Sequence, residues 1–331
     1  MPEKTTAGAG GQNYIPYAER SGPESVVYFT RDLSPEGLKK VYERVKAGIT
    51  GKTAIKLHTG EPHGPNIIPA AWVKEFMRTE LPEGTIIETN TFYDGDRYTT
   101  EQHRETLKVN GWADFTTVDI TDEHGTVMLP VKDGKWFEEM SVGKSLPEYD
   151  SLVVLTHFKG HTMGGFGGSN KNIGIGCADG RVGKGMIHAK DGNDWGVDKE
   201  ELMEKITEST KAVIDYFGEH VTYVNVLRNM SVSCDCEGVD AQPVVTPNVG
   251  ILASVDLLAA DQASVDMIHA MKEEDRHALV ERMESRHGYR QLSYMKELGM
   301  GNDRYTLIDI DNGDKVITPA VAVEGVVPFV G

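Results

Sequence analysis

Residues 151–188 read SLVVLTHFKGHTMGGFGGSNKNIGIGCADGRVGKGMIH. The opening SLVVLT is an apolar run of strand length, so it is predicted as a buried β-strand. The residues after it cannot continue that strand. Ten of the 32 from His157 to His188 are Gly, and Gly at this density marks backbone that takes positive φ or approaches another group closely. A glycine-rich loop at the carboxyl end of a strand is where open α/β sheets place their ligands. The same stretch carries His157, His161 and His188. Between His157 and Lys190 there are five Lys or Arg against the single acid Asp179. That local positive charge predicts an anionic ligand.

Outward from this stretch, strands and helices alternate. VVYFT (26–30) reads as a strand, and Ser34-Pro35 opens a helix with Leu38, Val41 and Val45 on one face. TAIKLH (53–58) and TIIET (85–89) are further strands, with a helix from Pro69 between them, and Thr99-x-x-Gln102 has the form of a capping box. A hairpin is expected within 112–150. Downstream come a helix over 198–217, strands at 222–227 and 249–255, a helix over 257–271, two exposed charged helices, and strands at 305–310 and 316–318. This alternation predicts an α/β class with largely parallel sheets. The expected organisation is a flexible arm (1–24), a first lobe (25–150) and a second lobe (151–331), with a cleft between the lobes.

The 331 residues carry 34 basic and 51 acidic side chains, a formal charge of −17. Such a chain is a poor match to nucleic acid or to an anionic membrane surface. No run approaches the roughly 18 apolar residues of a membrane span. Three Cys cannot form a disulfide framework and fit a reducing, cytoplasmic setting. The expected partner is a small anionic ligand, and a homo-oligomer is left open.

The candidate site residues follow from chemistry and spacing. GGFGGSNKNIGIG lacks the register of a dinucleotide fingerprint or a P-loop, yet the backbone at Gly164, Gly165, Gly167 and Gly168 is suited to an anion or cofactor. Lys171 has no acid near it in sequence, which suits a nucleophile, covalent anchor or base. His157 and His161, four apart, and His188 are candidate imidazole ligands. Cys234-Asp235-Cys236 places two thiols where one soft metal is chelated. His63, Asn90, Tyr93 and Arg97 lie on loops after strand ends and are candidates for substrate binding. His103 is a candidate for proton transfer.

HTMGGFGGSNKNIGIGCADGRVGK, NTFYDGDRYTTEQHRETLKVNGW, CDCEGVDAQPVVTPNVGILASVDLLAADQASVD and ELGMGNDRYTLIDID resemble the family called Domain of Unknown Function 362, also labelled iron–sulfur centre proteins. The resemblance covers most of 26–310. Many members insert Cys-x-x-Cys clusters after the glycine-rich stretch, whereas here HAKDGNDWGVDKEEL runs directly into a helix. An all-cysteine iron–sulfur cluster is therefore not expected. The chain more distantly resembles lactate racemases, which tether a nickel-pincer nucleotide to a lysine. That resemblance implies His161 as acid/base, Lys171 as tether, His188 as metal ligand, and the His63 and Asn90–Arg97 loops as binders of the substrate carboxylate. The function expected is a metal- or organometallic-cofactor-dependent enzyme (Zn, Fe or Ni) acting on a small anionic metabolite by proton or hydride transfer, with a 2-hydroxy acid racemase or epimerase as the concrete form. The alternative is a non-catalytic metal-binding or redox accessory protein using the CDC motif.

Overall fold

The computed structural model describes residues 13–329. Its α/β class is the expected one. The central element, β7 (Ser151–His157), is buried along its whole length. It points Leu152 and Val154 into one core and Val153 and Leu155 into the other, so a continuous apolar run is what a strand covered on both faces requires.

Around β7 lie β1 (Glu24–Thr30), β2 (Thr53–Lys56), β3 (Thr85–Glu88), β4 (Asp119–Ile120), β10 (Val221–Leu227), β11 (Gly250–Ser254), β12 (Arg304–Asp309) and β13 (Lys315–Ile317). Two further hairpins, β5–β6 (Thr126–Pro130 with Glu139–Gly143) and β8–β9 (Lys159–His161 with Gly165–Gly167), stand apart from them. The nine-stranded sheet has the order β13-β12-β1-β11-β10-β7-β2-β3-β4. The run from β10 to β4 is parallel throughout, while β11 is antiparallel to both of its neighbours. β7 pairs with β2 on one side and β10 on the other, so strands from 25–150 and from 151–331 interleave in one hydrogen-bonded sheet.

Helices α1 (Pro35–Val45), α2 (Ala70–Glu80) and α3 (Thr100–Val109) bury Leu38, Val73, Phe76 and Leu107 in one core. On the opposite face α4 (Ser169–Gly176), α5 (Val182–His188), α6 (Lys199–Phe217) and α7 (Leu257–Ala270) contribute Ile173, Ile187, Ile206 and Leu258 to the other. The Ser34 cap and the Thr99–Gln102 capping box form as expected. The two charged helices, α8 (Glu273–Ser285) and α9 (Arg290–Glu297), are not simply exposed. Their inner faces bury Leu279, Met283, Leu292 and Met295. No helix among the described residues is long and apolar enough to cross a membrane.

Residues 1–12 of the expected flexible arm lie outside the described residues, and 13–24 are fastened down. Arg20 makes a bidentate pair with Asp266 at 2.6 and 2.7 Å, buried on both sides. Tyr305 and Tyr14 donate hydroxyls to the same carboxylate, and the Tyr14 ring stacks on His269 at 3.7 Å. Removing one partner of a buried pair strands the other charge, typically at a cost of about 3–5 kcal/mol. Arg20→Met is therefore expected to lower unfolding stability by about 3 kcal/mol in chemical denaturation. A loss below about 1 kcal/mol would show that the pair does not hold the segment.

Candidate active site

Parallel strands β2, β3, β7 and β10 all end at the same edge of the sheet, and their following segments enclose a cavity of about 460 Å³. That is a small-molecule volume. The glycine-rich stretch, expected as a loop, forms its wall as ordered structure: the β8–β9 hairpin, then α4 and α5. Two of its glycines answer to close approach. Gly165 sits at φ +76° against the backbone of Gly288, and a Cβ on Gly168 would come within 2.6 Å of the Asp261 carboxylate.

Asp261 changes the reading of this turn. Its carboxylate accepts the N–H groups of Ser169 (2.7 Å) and Asn170 (2.9 Å) at the start of α4. The anion that the helix N-terminus would hold is thus supplied by the chain itself. Asp179 does the same for α5, accepting from Arg181, Val182 and Gly183. Gly167 and Gly168 line the cavity and Gly164 and Gly165 do not. The backbone cradle expected from the four glycines is filled from within, and ligand contact passes to side chains.

Lys171, in the first turn of α4, lines the cavity. It has no hydrogen-bond or ion-pair partner among the described residues. Burial holds its ammonium below the ordinary lysine range. The other cations differ. Lys159 pairs with Asp235 at 3.0 Å. Arg97 is engaged by Glu61 at 2.8 Å and approaches Glu88 at 3.7 Å, so it frames the site rather than waiting for a substrate carboxylate. Lys184 donates to Thr89 Oγ1 and the Asn90 carbonyl, and burial pushes it down to about 8.

The histidines separate by tautomer. His161 lines the cavity, and its Nδ1 accepts the backbone N–H groups of Met163 (3.1 Å) and Gly164 (2.8 Å), which leaves the proton on Nε2 in the neutral ring. His188 is the reverse: Nδ1 donates to the Lys184 carbonyl at 2.8 Å, leaving a lone pair on Nε2. Burial, with Lys171 and His161 nearby, pushes His188 down to about 4. His157 does not belong to the site. Its Nδ1 donates to Asp235 at 2.8 Å and its Nε2 to the Arg228 carbonyl at 2.6 Å, so no lone pair remains for a metal.

Cys234 and Cys236 both line the cavity, and their sulfurs lie with a His161 ring nitrogen inside a mutual 4.8 Å. Cys234 Sγ accepts the Cys236 N–H at 3.3 Å. Hydrogen bonds from Cys236, His161 and His58 hold the Cys234 thiol well below its ordinary range against burial. Cys177 is elsewhere, buried, with its thiol pushed up to about 12.

Of the expected substrate contacts, Tyr93 and Arg97 line the cavity. Asn90 stands behind it, its amide occupied by Thr100 and His103. His63 is exposed, with its N–H on Asn110. His103 is fully buried outside the lining, too deep to touch a ligand.

The sequence model for a domain of unknown function, DUF362, matches residues 53–266. The chain belongs to the DUF362 family. Among solved structures it is similar to the lactate racemase apoprotein from Thermoanaerobacterium thermosaccharolyticum, at 15% identity and a TM-score of 0.38, covering 73% of this chain and 56% of that one. A protein from Thermotoga maritima solved by a structural genomics consortium matches at 14% identity and a TM-score of 0.36, covering 58% of this chain and 49% of that one. The DUF362 chain thus spans about half the length of both. No curated protein matches it in sequence.

Three further residues belong to this DUF362 site. His58 follows β2, and its Nδ1 accepts the Gly60 N–H. Glu88, at the end of β3, accepts from Lys56 and Thr59, and Trp195 packs at the cavity against Phe92 and His188. A histidine at a strand's carboxyl end was a usable signal for the first. Nothing local marks the other two.

His103 gives a pH test. Burial and Arg97 push it from 6.5 to about 3, so the unfolded chain binds this proton first as pH falls. Its stabilising effect is present above pH 6.5 and lost progressively toward pH 3. At pH 4 the expected loss is about 3 kcal/mol relative to pH 7.5, and a folded His103→Leu variant should lose less by a similar amount in paired urea titrations. An equal loss in both proteins would assign the acid sensitivity to other groups.

Proposed function

We propose that this protein is a cofactor-dependent enzyme that binds a small organic anion in the cavity and transfers a proton or hydride at one of its carbons, a 2-hydroxy acid racemase or epimerase being the concrete form. The observation that carries the reading is the position of Lys171. It is a cation without a partner among the described residues, sharing one cavity with His161 and His188, which are held in opposite tautomers.

These residues fit the group implied by the racemase resemblance. The free Lys171 amine suits a covalent tether, the Nε2 lone pair of His188 suits a metal, and a ligating histidine normally donates its other N–H to an acceptor, as His188 does to Lys184. Such a cofactor, when bound, would supply the acceptor for a hydride. Lys184 adds positive potential for the anion. His161 presents an N–H to an oxygen of the substrate and exchanges that proton with it. Phe92 and Trp195 exclude water at the lining.

A second reading, a metal-binding accessory protein, is favoured by the convergence of Cys234, Cys236 and His161 within 4.8 Å. Two thiolates and an imidazole match a soft or borderline metal. The His161 tautomer argues against it, because ligation through Nε2 requires loss of the proton that the Met163 and Gly164 amides keep there.

Incubation with 2-hydroxy acids in D2O, read by NMR for exchange at the α-carbon and by chiral chromatography for inversion, tests the enzyme reading. Protein made in its native host is expected to carry an added mass on Lys171, lost in Lys171→Ala, and His161→Gln is expected to slow turnover by about 10²-fold or more. An unmodified Lys171 together with full activity of Lys171→Ala would overturn the proposal. Stoichiometric metal that disappears in Cys234→Ser and Cys236→Ser would favour the accessory reading instead.

A further inference from the structure

We propose that the cavity selects an anion that carries an aromatic ring, its carboxylate held by Lys184 and its ring laid against Trp195 and Phe92. This rests on the reading of the cavity as an anion site and narrows the substrate to aryl-bearing 2-hydroxy acids. It holds whether Lys171 is a free amine or carries a tethered group.

The first observation is a buried cation with an unused donor. Lys184, on α5, lines the cavity and is only 5% exposed. Its ammonium has three N–H groups. Thr89 Oγ1, at 2.7 Å, and the Asn90 carbonyl accept two of them, and among the described residues no acceptor takes the third and no carboxylate pairs with the charge. A buried cation held only by neutral oxygens has lost its hydration without gaining a counter-charge, so an anion brought by a ligand is held strongly there. The carboxylates that line the same cavity are engaged elsewhere. Glu88 pairs with Lys56 at 2.8 Å, and Glu237 accepts from Thr162, Ser233 and the Cys234 N–H.

The second observation is an aromatic wall one helical turn away. His188 follows Lys184 by four positions on α5 and shares its face. The Phe92 ring lies nearly parallel to that of His188, with centroids 6.0 Å apart and planes 15° apart. Trp195 meets both, at 5.3 Å from Phe92 and 5.0 Å from His188, yet it remains 43% exposed. A large ring packed on one side and open on the other, at the lining of a cavity, is a surface that an apolar group of a ligand covers. A Cβ on Gly185, the residue after Lys184, would lie 3.5 Å from the Phe92 ring, so the cation and the wall adjoin. Lys171 lies instead beside the β8–β9 hairpin, its Cδ 3.5 Å from where a Cβ on Gly164 would stand. An acid of lactate's size leaves most of the 460 Å³ unfilled, and an aryl group on the same acid matches the chemistry of the wall.

The test is calorimetric titration of the whole protein from its native host with 3-phenyllactate, lactate and 3-phenyllactamide, which differ only in ring or charge. 3-Phenyllactate is expected to bind at least about tenfold more tightly than lactate, through burial of its ring, and at least about tenfold more tightly than the neutral amide. Trp195→Ala is expected to cut the ring preference to below about threefold, and Lys184→Met to cut the charge preference likewise. Lys171→Met should leave both preferences in place. No measurable binding of 3-phenyllactate, lactate or the amide binding as tightly as 3-phenyllactate, or a charge preference removed by Lys171→Met and not by Lys184→Met would overturn the proposal. If Lys184→Met does not fold, the amide comparison on the unaltered protein and the Trp195→Ala titration still decide it. A protein that shows both preferences but neither exchange at the α-carbon nor a Lys171 adduct would overturn the enzyme reading and leave this assignment standing, so the two fail separately.

Discussion

The site depends on one buried carboxylate. Asp235 lies between the two cysteines and is closed off from solvent. Burial opposes its charge, and His157 and Lys159 overcome that to hold it far below the ordinary carboxylate range. An ion taken out of water costs several kcal/mol unless its partners are well placed. Here the partners come from the last residue of β7 and the first of β8. The short 3-10 turn that carries both thiols is thereby anchored to the strand at the centre of the sheet. Cys234 reaches His161 because Asp235 cannot leave His157.

The same logic divides the charged groups into those paired within the frame and those left without a carboxylate partner among the described residues. Lys56, Lys159 and Arg97 are neutralised by Glu88, Asp235 and Glu61. Asp261 and Asp179 occupy the N-termini of α4 and α5. Once these are paired, the cavity retains Lys171 without a partner among the described residues and Lys184 with neutral ones. The positive potential that a ligand meets is thus concentrated on two ammonium groups, both weakened by burial. Buried cations of this kind are poised to bind an anion.

Much of the fold was legible. β7 announced itself by composition, the caps at Ser34 and Thr99 by motif, and the helices over 199–217 and 257–270 by periodicity. The placement of Lys171, His161 and His188 on one wall followed from their shared stretch. The errors have physical causes. Glycine density suggested a loop, but the glycines let the β8–β9 hairpin lie against Gly288 and let Asp261 cap α4. Charge on 273–298 suggested exposed helices, because an inner face of a few residues, Leu279, Met283, Leu292 and Met295, is faint among so many polar ones. The arm at 13–24 lacks apolar periodicity, and its anchor is an ion pair with a residue 246 positions away.

The sequence by itself determined the class of fold, the carboxyl edge at which the cavity opens, and the three residue types, lysine, histidine and cysteine, that line it. These are carried by local pattern: period, capping, and glycine after an apolar strand. Tertiary structure decided which of those residues are free to act. His157 and His161 are four apart in the chain, yet one is locked between Asp235 and a carbonyl and the other faces Cys234. Lys159 and Lys171 look alike in sequence, yet among the described residues only the first meets a carboxylate. Whether a buried charge is paired, and which nitrogen of an imidazole keeps its proton, depends on groups brought together by long-range contacts, and no local pattern encodes them.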